Sequence, residues 1–513
     1  MDEHGYVTSF DRKYATTVML ILASLVMIVM YVEGMLTPSL PAIQADFGVT
    51  QAQVSLVLAS YMIGGVALTP VAGKLGDIYG KKKILTVVIL IYAIAVATTG
   101  FSPNFTFMVI SRGIQGIGMA IMPLGMSLVR EEFPKDMIPK AQSIISAMFG
   151  AGFAVSLPLG SFVSNDLGWR WTYHSAVPVV FVLAIVSVLY IRESRFNKPE
   201  AKVDIMGATI LALLLTLLVL SLSEGSYWGW TSLGTIAFAL GGLALIAPLI
   251  YYELDYSKRG GDAIINFKLL ARRNVLVANV ALSITGLAMF LAMQALTYRF
   301  IYPVPAGFGL SILDTGLSLI PFAIGMIIFG PITGILVNRT GVKKISFIGA
   351  LVTAFGFLLQ ATLPDYVGVL VCEFVTGAGM AILNASVINL IVLTVNPREM
   401  GIATALNGTF RSLGSSIGAP VAGSMLSTFT AIFLISGSIH GRVVSFPVVF
   451  PASIAYEYIF AAAAVLFLIV AVATVFAQEV LGKSELKEKL KSMRAAGMGS
   501  HSDSVEVKDI AEP

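Results

Sequence analysis

The sequence predicts an all-α integral membrane protein, with fourteen spanning helices arranged as two related six-helix halves and two inserted helices. Three observations lead to this prediction. The 513 residues are 57% hydrophobic and only 12% charged, far from the composition of soluble domains. Long apolar runs recur from Thr16 to Ala477, and short motifs repeat about 261 residues apart along the chain.

The apolar runs define the helices. A bilayer core of about 30 Å needs about 20 apolar residues per helix, and fourteen runs approach this length: 16–40, 53–72, 84–101, 105–128, 141–163, 173–191, 205–222, 231–252, 275–298, 314–336, 345–363, 366–394, 401–430 and 455–477. Helices are predicted because these runs lack the alternation of a membrane β-barrel. The first run is too long for the apolar core of a signal peptide, so we expect it to remain as helix 1.

The distribution of Lys and Arg predicts the orientation. Of 33 such residues, 28 fall on the side of the N-terminus, three on the other side and two within helices. The positive-inside rule then places both termini in the cytoplasm of a multi-pass protein of the cell membrane. The net charge of +4 is thereby explained as a topology signal, and no nucleic-acid partner is expected.

Several function classes are not supported by the sequence. Cys372 is the single cysteine and the four histidines are scattered, so no metal site and no cofactor are expected. The chain lacks a phosphate-binding loop of the form Gly-x-x-x-x-Gly-Lys-Ser/Thr, which gives no support for ATP use. The sequence shows no cluster of a nucleophile and a base that would suggest an enzyme.

Internal repeats divide the chain. Residues 73–83 (GKLGDIYGKKK) resemble 334–344 (GILVNRTGVKK), and 112–122 (RGIQGIGMAIM) resemble 373–383 (EFVTGAGMAIL). Parallel repeats place a substrate path between the halves. The predicted units are therefore a six-helix bundle at 1–203, two inserted helices at 204–255, a second six-helix bundle at 256–480 and a cytoplasmic tail at 481–513.

These motifs resemble those of the major facilitator superfamily. The stretch 73–82 is similar to its cytoplasmic gating motif, and 112–118 to its buried-arginine motif. Trp169-Arg170-Trp171 and Asp204-x-x-Gly207 resemble its 14-spanner drug:proton antiporter branch. The resemblance implies proton-coupled export of small amphiphilic or drug-like compounds by alternating access, by a protein expected to be monomeric. Transport of a specific metabolite, or a non-transporting receptor with the same fold, are the alternatives.

Four intramembrane charges are candidates for proton coupling. A charge at the bilayer centre costs about 2.5 to 3.5 kcal/mol, so Glu33 and Arg112, at similar predicted depth, are expected to neutralise each other. Glu373 occupies the place of Arg112 in the second repeat, and Gln294 that of Glu33. Arg411 is expected to lie deep in helix 13. It is either a further coupling residue or a structural partner of Glu373 or of a carbonyl group. Structural roles remain open, in particular bonding of Arg112 to carbonyls of helix 1.

Three further sets of candidates follow. The gating motif and its repeat are expected to hold the cytoplasmic side shut. The resemblance implies that the acid of the motif contacts a helix N-terminus or an arginine of the other half. The residues of the motif and its repeat are Gly73, Asp77, Gly80, Lys81, Asn338, Arg339 and Gly341. Small residues and prolines could permit close packing or bending: Gly152, Pro158, Gly160, Gly414, Gly418 and Pro420. The candidates for a substrate pocket are Tyr31, Met35, Gln115, Phe149 and Gln294.

Overall fold

The structure, a computed structural model, describes residues 12–134, 137–193, 203–261, 263–392, 394–395, 400–439 and 442–479. The predicted tail at 481–513 lies outside the described residues. Within them, one helix corresponds to each of the fourteen apolar runs. Most of each helix is apolar because, in hydrocarbon, side chains face either lipid or other helices and every backbone group must bond within the helix.

The helices are numbered 1 to 14 in chain order. Their bounds are Arg12–Phe47, Gln51–Tyr79, Lys81–Gly100, Phe105–Glu132, Ile138–Leu167, Trp169–Tyr190, Ile205–Trp228, Leu233–Lys258, Arg273–Ile301, Ile312–Ser318 continued by Ile320–Thr340, Val342–Thr362, Tyr366–Val392, Met400–Thr428 and Ser453–Val475. Both termini of this bundle lie at one end, called the terminus end below. The opposite end is called the distal end.

Twelve of these helices are long and apolar enough to cross a membrane, as far as the described residues go. The remaining two, helix 5 with 30 residues and helix 13 with 29, are each about 45 Å long at 1.5 Å per residue. Helix 5 packs against helix 1, and helix 13 against helix 9. The architecture is therefore an all-helical membrane bundle with twelve candidate spans.

A glycine with positive φ joins two helices at the matching place of each repeat. Gly80, with φ of 105°, connects helices 2 and 3, and Gly341, with φ of 91°, connects helices 10 and 11. Such backbone conformations favour glycine because it has no Cβ. The predicted gating loop is thus mostly helical: Gly73 and Asp77 lie in the last turns of helix 2, and Lys81 begins helix 3.

Glycines bring helices 9 and 13 into backbone contact. A Cβ added to Gly414 would lie 1.7 Å from the carbonyl oxygen of Ser283, and one added to Gly418 would lie 2.2 Å from that of Leu287. The first repeat has the corresponding contact between helices 5 and 1. There a Cβ on Gly152 would lie 2.4 Å from the carbonyl oxygen of Met27. Small residues allow this approach of backbones, which membrane helices use for packing.

We expect Gly414→Ala to destabilise the protein, because the methyl group would force helices 9 and 13 apart. Overpacking of this kind typically costs about 1 to 3 kcal/mol. The matched control is Gly408→Ala in the same helix, where an added Cβ meets nothing within 4 Å. Thermal unfolding of the purified variants measures both. Equal melting temperatures for the two variants would show that this contact adapts without cost.

Helix 7 of the inserted pair contacts both sets of six helices near the distal end. Gln53 of helix 2 donates to the Glu224 carboxylate at 3.0 Å and 3.3 Å. Ser424 Oγ of helix 13 donates to the carbonyl oxygen of Leu222 at 2.8 Å. The inserted helix is therefore fastened to helices 2 and 13 where these two meet.

A β-hairpin between helices 13 and 14 was not predicted from the sequence, and it corrects the all-α expectation locally. Strand β1 (Thr430–Ile439) pairs antiparallel with β2 (Arg442–Pro451). Its sequence signal is two runs rich in Val, Ile and Phe on either side of a two-residue segment containing glycine, which is typical of a hairpin. The hairpin contacts the bundle through Phe450, whose ring centroid lies 4.7 Å from that of Tyr302.

Candidate functional site

Glu33 lies at a break in helix 1. The first segment of this helix ends at Gly34, and the 3-10 turn Thr37–Ser39 separates it from the second segment, Leu40–Phe47. The Glu33 side chain is 7% exposed, and its Oε2 forms no hydrogen bond with a described residue. A buried acid beside a helix break is typical of ion and substrate sites in transporters.

Arg112 lies directly before a break in helix 4, where the 3-10 segment Gly116–Ala120 follows Gln115. Arg112 is fully buried. Its Nε donates to the carbonyl oxygen of Val57 at 3.0 Å, and its Nη1 to Gln115 Oε1 at 3.3 Å. The carbonyl partner therefore belongs to helix 2 and not, as considered above, to helix 1. A 3-10 segment within a helix often marks a hinge.

The Arg112 guanidinium also lies over an aromatic ring. Its Cζ is 4.6 Å from the ring centroid of Tyr61, a distance at which the ring face attracts a cation. Arg112 Nη2 and Gln115 Nε2 form no hydrogen bond with the described residues. The Tyr173 hydroxyl lies near Arg112 and the Tyr92 hydroxyl near Gln115, so two buried phenol groups belong to the surroundings of these donors.

Glu33 is the acid at which two arginines converge. Arg411 and Arg112 are the two charged side chains that act electrostatically on Glu33, and Glu33 acts in turn on Arg411. Arg411 belongs to helix 13, in the second repeat. The electrostatic influence on Glu33 therefore comes from arginines of helices 4 and 13. The acid that acts electrostatically on Arg411 is Glu33, whereas the side chain that bonds Glu373 is Gln360, so the pairing of Arg411 with Glu373 that the sequence left open gains no support.

Glu373 forms a separate buried site within the last six helices. Its carboxylate is 3% exposed and accepts a hydrogen bond of 2.5 Å from Gln360 Nε2. The cavity beside it has a volume of about 10 Å³, close to the minimum that holds one water molecule. Helix 12 is unbroken here, unlike helix 4. The sequence symmetry between Arg112 and Glu373 therefore does not extend to a shared environment.

Hydrogen bonds between the two sets of helices cluster at the distal end. Gln51 Nε2 donates to Tyr302 Oη at 2.9 Å, and the backbone N–H of Ala52 donates to Ser427 Oγ at 3.1 Å. Tyr298 Oη donates to Gln44 Oε1 at 2.7 Å. The structure is thus closed at its distal end.

Gln294 takes part in the same distal closure. Its Nε2 donates to the carbonyl oxygen of Gln51 at 3.1 Å. The sequence predicted Gln294 as a pocket residue equivalent to Glu33. In this conformation it is instead a contact between helix 9 and the start of helix 2, because helix 9 continues unbroken past the position at which helix 1 breaks.

At the terminus end, the gating motif pairs within its own half. Lys81 Nζ lies 3.3 Å from Asp77 Oδ1 and also forms an ion pair with Glu131. This differs from the expected contact of the acid with the other half. Arg339, in the second copy, is exposed, and Asn338 lies in helix 10 with its side chain outside the described part of the chain.

Two carboxylates that sequence reasoning missed cap helices 3 and 11. Glu193 follows helix 6 and accepts hydrogen bonds of 3.0 Å from the backbone N–H groups of Lys82 and Lys83. Glu479 follows helix 14 and accepts one of 3.2 Å from that of Lys343. Carboxylates are favourable at helix N-termini. The signal in the sequence was an acid within a few residues after the last helix of each repeat.

The remaining pocket candidates do not form one pocket. Tyr31 faces Ser175 of helix 6, and Met35 is buried where helix 1 meets Gly160 of helix 5. The Phe149 side chain lies outside the described residues. Among the candidates whose side chains the structure describes, Gln115 is the one that bonds Arg112.

Taken together, the helical membrane bundle, its two repeats and the buried charges in its interior define the class as a two-repeat polytopic membrane protein. The family model described as Major Facilitator Superfamily matches residues 22–419 and 282–496. The chain belongs to this superfamily. It is therefore a multi-pass protein of the cell membrane.

Several curated relatives are multidrug or antibiotic transporters. The chain is 27% identical to the multidrug transporter protein MdtP of Bacillus subtilis (strain 168), over 76% of this chain and 71% of the relative. It is 25% identical to a probable actinorhodin transporter of Streptomyces coelicolor, over 75% and 68%. An uncharacterized MFS-type transporter of Mycobacterium tuberculosis is 28% identical over 77% of this chain, but the match spans only 57% of that relative.

Solved structures with the same fold are more distant in sequence. The structure of a bacterial homolog to the human lysosomal transporter Spinster has a TM-score of 0.63 and 13% identity, covering 91% of this chain and 98% of that one. The nucleoside transporter NupG has a TM-score of 0.60 and 15% identity, covering 89% and 99%. At these identities the likeness shows the fold alone.

Proposed function

We propose that this protein exports small amphiphilic or drug-like compounds in exchange for protons, as a member of the 14-spanner drug:proton antiporter branch. The observation that carries the proposal is the burial of Glu33 at a break in helix 1, within the electrostatic influence of one arginine from each repeat, Arg112 and Arg411. A carboxylate there can change its charge in a site that each repeat helps to build. Relatives named as multidrug and antibiotic transporters support the substrate class.

The proposed topology completes this assignment. In it, helices 5 and 13 cross the membrane with the twelve candidate spans, and both termini are cytoplasmic, as the distribution of Lys and Arg favours. The proposed units are a six-helix bundle at 1–203, two inserted helices at 204–255, a second six-helix bundle at 256–480 and a tail at 481–513. The protein is proposed to be a monomer. The distal end is then the outer face, and the closure by Gln44, Gln51 and their partners corresponds to an inward-facing state.

The charged centre suggests how exchange proceeds. When Glu33 is ionised, its negative charge offsets one of two guanidinium groups. When it binds a proton, both positive charges remain without that neutralisation, and the centre becomes less favourable for a cationic substrate. We propose that Glu33 takes a proton from the outer face and releases it to the cytoplasm, so that proton and substrate occupy the centre in alternation.

Membrane vesicles of inverted orientation test the function. Vesicles containing the protein, energised by an imposed pH gradient, are expected to accumulate several chemically unrelated amphiphilic compounds, and a protonophore is expected to abolish this. Vesicles without the protein are the control. Accumulation of one metabolite alone would favour the specific transporter, and binding without flux in proteoliposomes would favour the receptor.

A further inference from the structure

Three helices meet at one junction at the distal end: helix 2 where it begins, helix 7 in its last two turns, and helix 13. A Cβ added to Gly423 of helix 13 would lie 2.5 Å from the carbonyl oxygen of Gln51, so the backbones of helices 2 and 13 are in contact there. The next residue of helix 13, Ser424, is buried and donates through its Oγ to the carbonyl oxygen of Leu222 of helix 7 at 2.8 Å. Helix 7 is therefore bonded to the last six helices at the same turn of helix 13 that closes the distal end.

A side chain of fixed direction bonds helix 7 to helix 2. Gln53 and Thr50 form a capping box at the start of helix 2, in which Gln53 Oε1 accepts from the backbone N–H of Thr50 at 3.1 Å. The amide nitrogen of Gln53 then donates to the two oxygens of Glu224 at 3.0 Å and 3.3 Å. Because the capping box orients the Gln53 side chain, its amide is held toward Glu224 of helix 7.

A small apolar cluster also joins helix 7 to the first six helices. Val219 of helix 7 packs with Leu56 and Ala59 of helix 2, and all three are buried. The partly buried side chains against this cluster come from helices 2, 4 and 7: Ile63, Phe105, Val109 and Leu220. Helix 7 also lies against helix 13, but the hydrogen bond from Ser424 is neutral, and hydrogen bonds to a carboxylate are roughly twice as strong. The attachment of helix 7 to helix 2 is therefore the stronger of the two.

We propose that the two inserted helices move with the first six helices, and that the hydrogen bond from Ser424 to Leu222 breaks whenever the distal end opens. Under the proposed function, on which this inference rests, helices 2 and 13 separate at that end. Helix 7 cannot then keep both attachments, and it keeps the stronger one, to helix 2. Helix 8 packs on helix 7 and moves with it. Ser424 thus stabilises the closed distal end, whereas Glu224 holds helix 7 to the first six helices.

The reactivity of a cysteine at the distal end tests this division. Ala52 is fully buried in the closed structure, so in a Cys372→Ser background the thiol of Ala52→Cys reacts with a maleimide only when the distal end opens. Adding Ser424→Ala should raise the labelling rate of purified protein in lipid nanodiscs about 2- to 10-fold, because it removes one hydrogen bond that only the closed state makes. Adding Glu224→Ala should leave the rate unchanged, because the bond from Gln53 lies within one moving body.

Ser416→Ala is the matched control. It makes the same substitution in helix 13 at a hydroxyl that donates within that helix, to the carbonyl oxygen of Leu413 at 2.8 Å, and it should leave the labelling rate unchanged. Faster labelling with Glu224→Ala and an unchanged rate with Ser424→Ala would mean that the inserted helices move with the last six helices. Faster labelling with both variants, or with neither, contradicts the proposal as well. Labelling needs neither substrate nor a proton gradient, so its outcome is separate from that of the transport assay.

Discussion

Glu33→Gln is expected to uncouple transport from the proton gradient. Glutamine keeps the size of the side chain and its ability to form hydrogen bonds, but it can neither carry a proton nor neutralise Arg112 or Arg411. Accumulation driven by a pH gradient should fall by about 10-fold or more, since a coupling free energy of about 1 to 3 kcal/mol corresponds to 5- to 150-fold. Proton release on addition of substrate should disappear with it.

The matched control for this change is Glu457→Gln, which makes the same substitution at an exposed position of helix 14 and should transport normally. Glu373→Gln separates the two buried acids. If proton release survives in Glu33→Gln and is lost in Glu373→Gln, the coupling acid is Glu373, and the proposed role of Glu33 is wrong. Circular dichroism of each purified variant excludes a loss of folded protein as the cause.

The asymmetry between the repeats explains why Glu33 is the stronger candidate. Helices 1 and 4 are interrupted directly beside Glu33 and Arg112, whereas helices 9 and 12 pass the equivalent positions without a break. An interrupted helix leaves backbone groups free to serve a site. Glu373 lies in a continuous helix and is hydrogen-bonded to Gln360. This environment fits a structural or auxiliary role better than a role as the coupling acid.

The helices and the repeat could be predicted because both are properties of a one-dimensional pattern. An apolar run of sufficient length has only one stable form in hydrocarbon, and a motif repeated at a constant offset needs no coordinates to be recognised. The burial of Glu33 and Arg112 followed from their positions within such runs. The structure places both in the interior, as expected.

The partners of these charges could not be predicted in the same way. Arg411 acts electrostatically on Glu33 although 378 residues separate them, and a single sequence carries no signal for that relation. Sequence symmetry pointed instead to Glu373 opposite Arg112. The caps formed by Glu193 and Glu479, and the distal contacts of Gln44 and Gln51, likewise depend on how helices pack and on which conformation the protein adopts.

A disulfide across the distal end is expected to stop transport reversibly. In a Cys372→Ser background, Ala52→Cys with Ser427→Cys places thiols on helices 2 and 13 where the backbone N–H of Ala52 now contacts Ser427 Oγ at 3.1 Å. Oxidation would hold the distal end closed, and a protein that must open there to release its substrate cannot complete a cycle. Accumulation in inverted vesicles should fall to that of empty vesicles and recover on reduction.

A disulfide within one half distinguishes this block from a general loss of mobility. Thr98→Cys with Ser111→Cys joins helices 3 and 4, where the two hydroxyl oxygens lie 2.9 Å apart, and its oxidation should leave transport largely unchanged because the two repeats remain free to separate. Transport that persists with the distal disulfide between helices 2 and 13 fully formed would mean that the distal contacts stay closed throughout the cycle. In that case the substrate would have to leave by a route other than the interface between the two repeats.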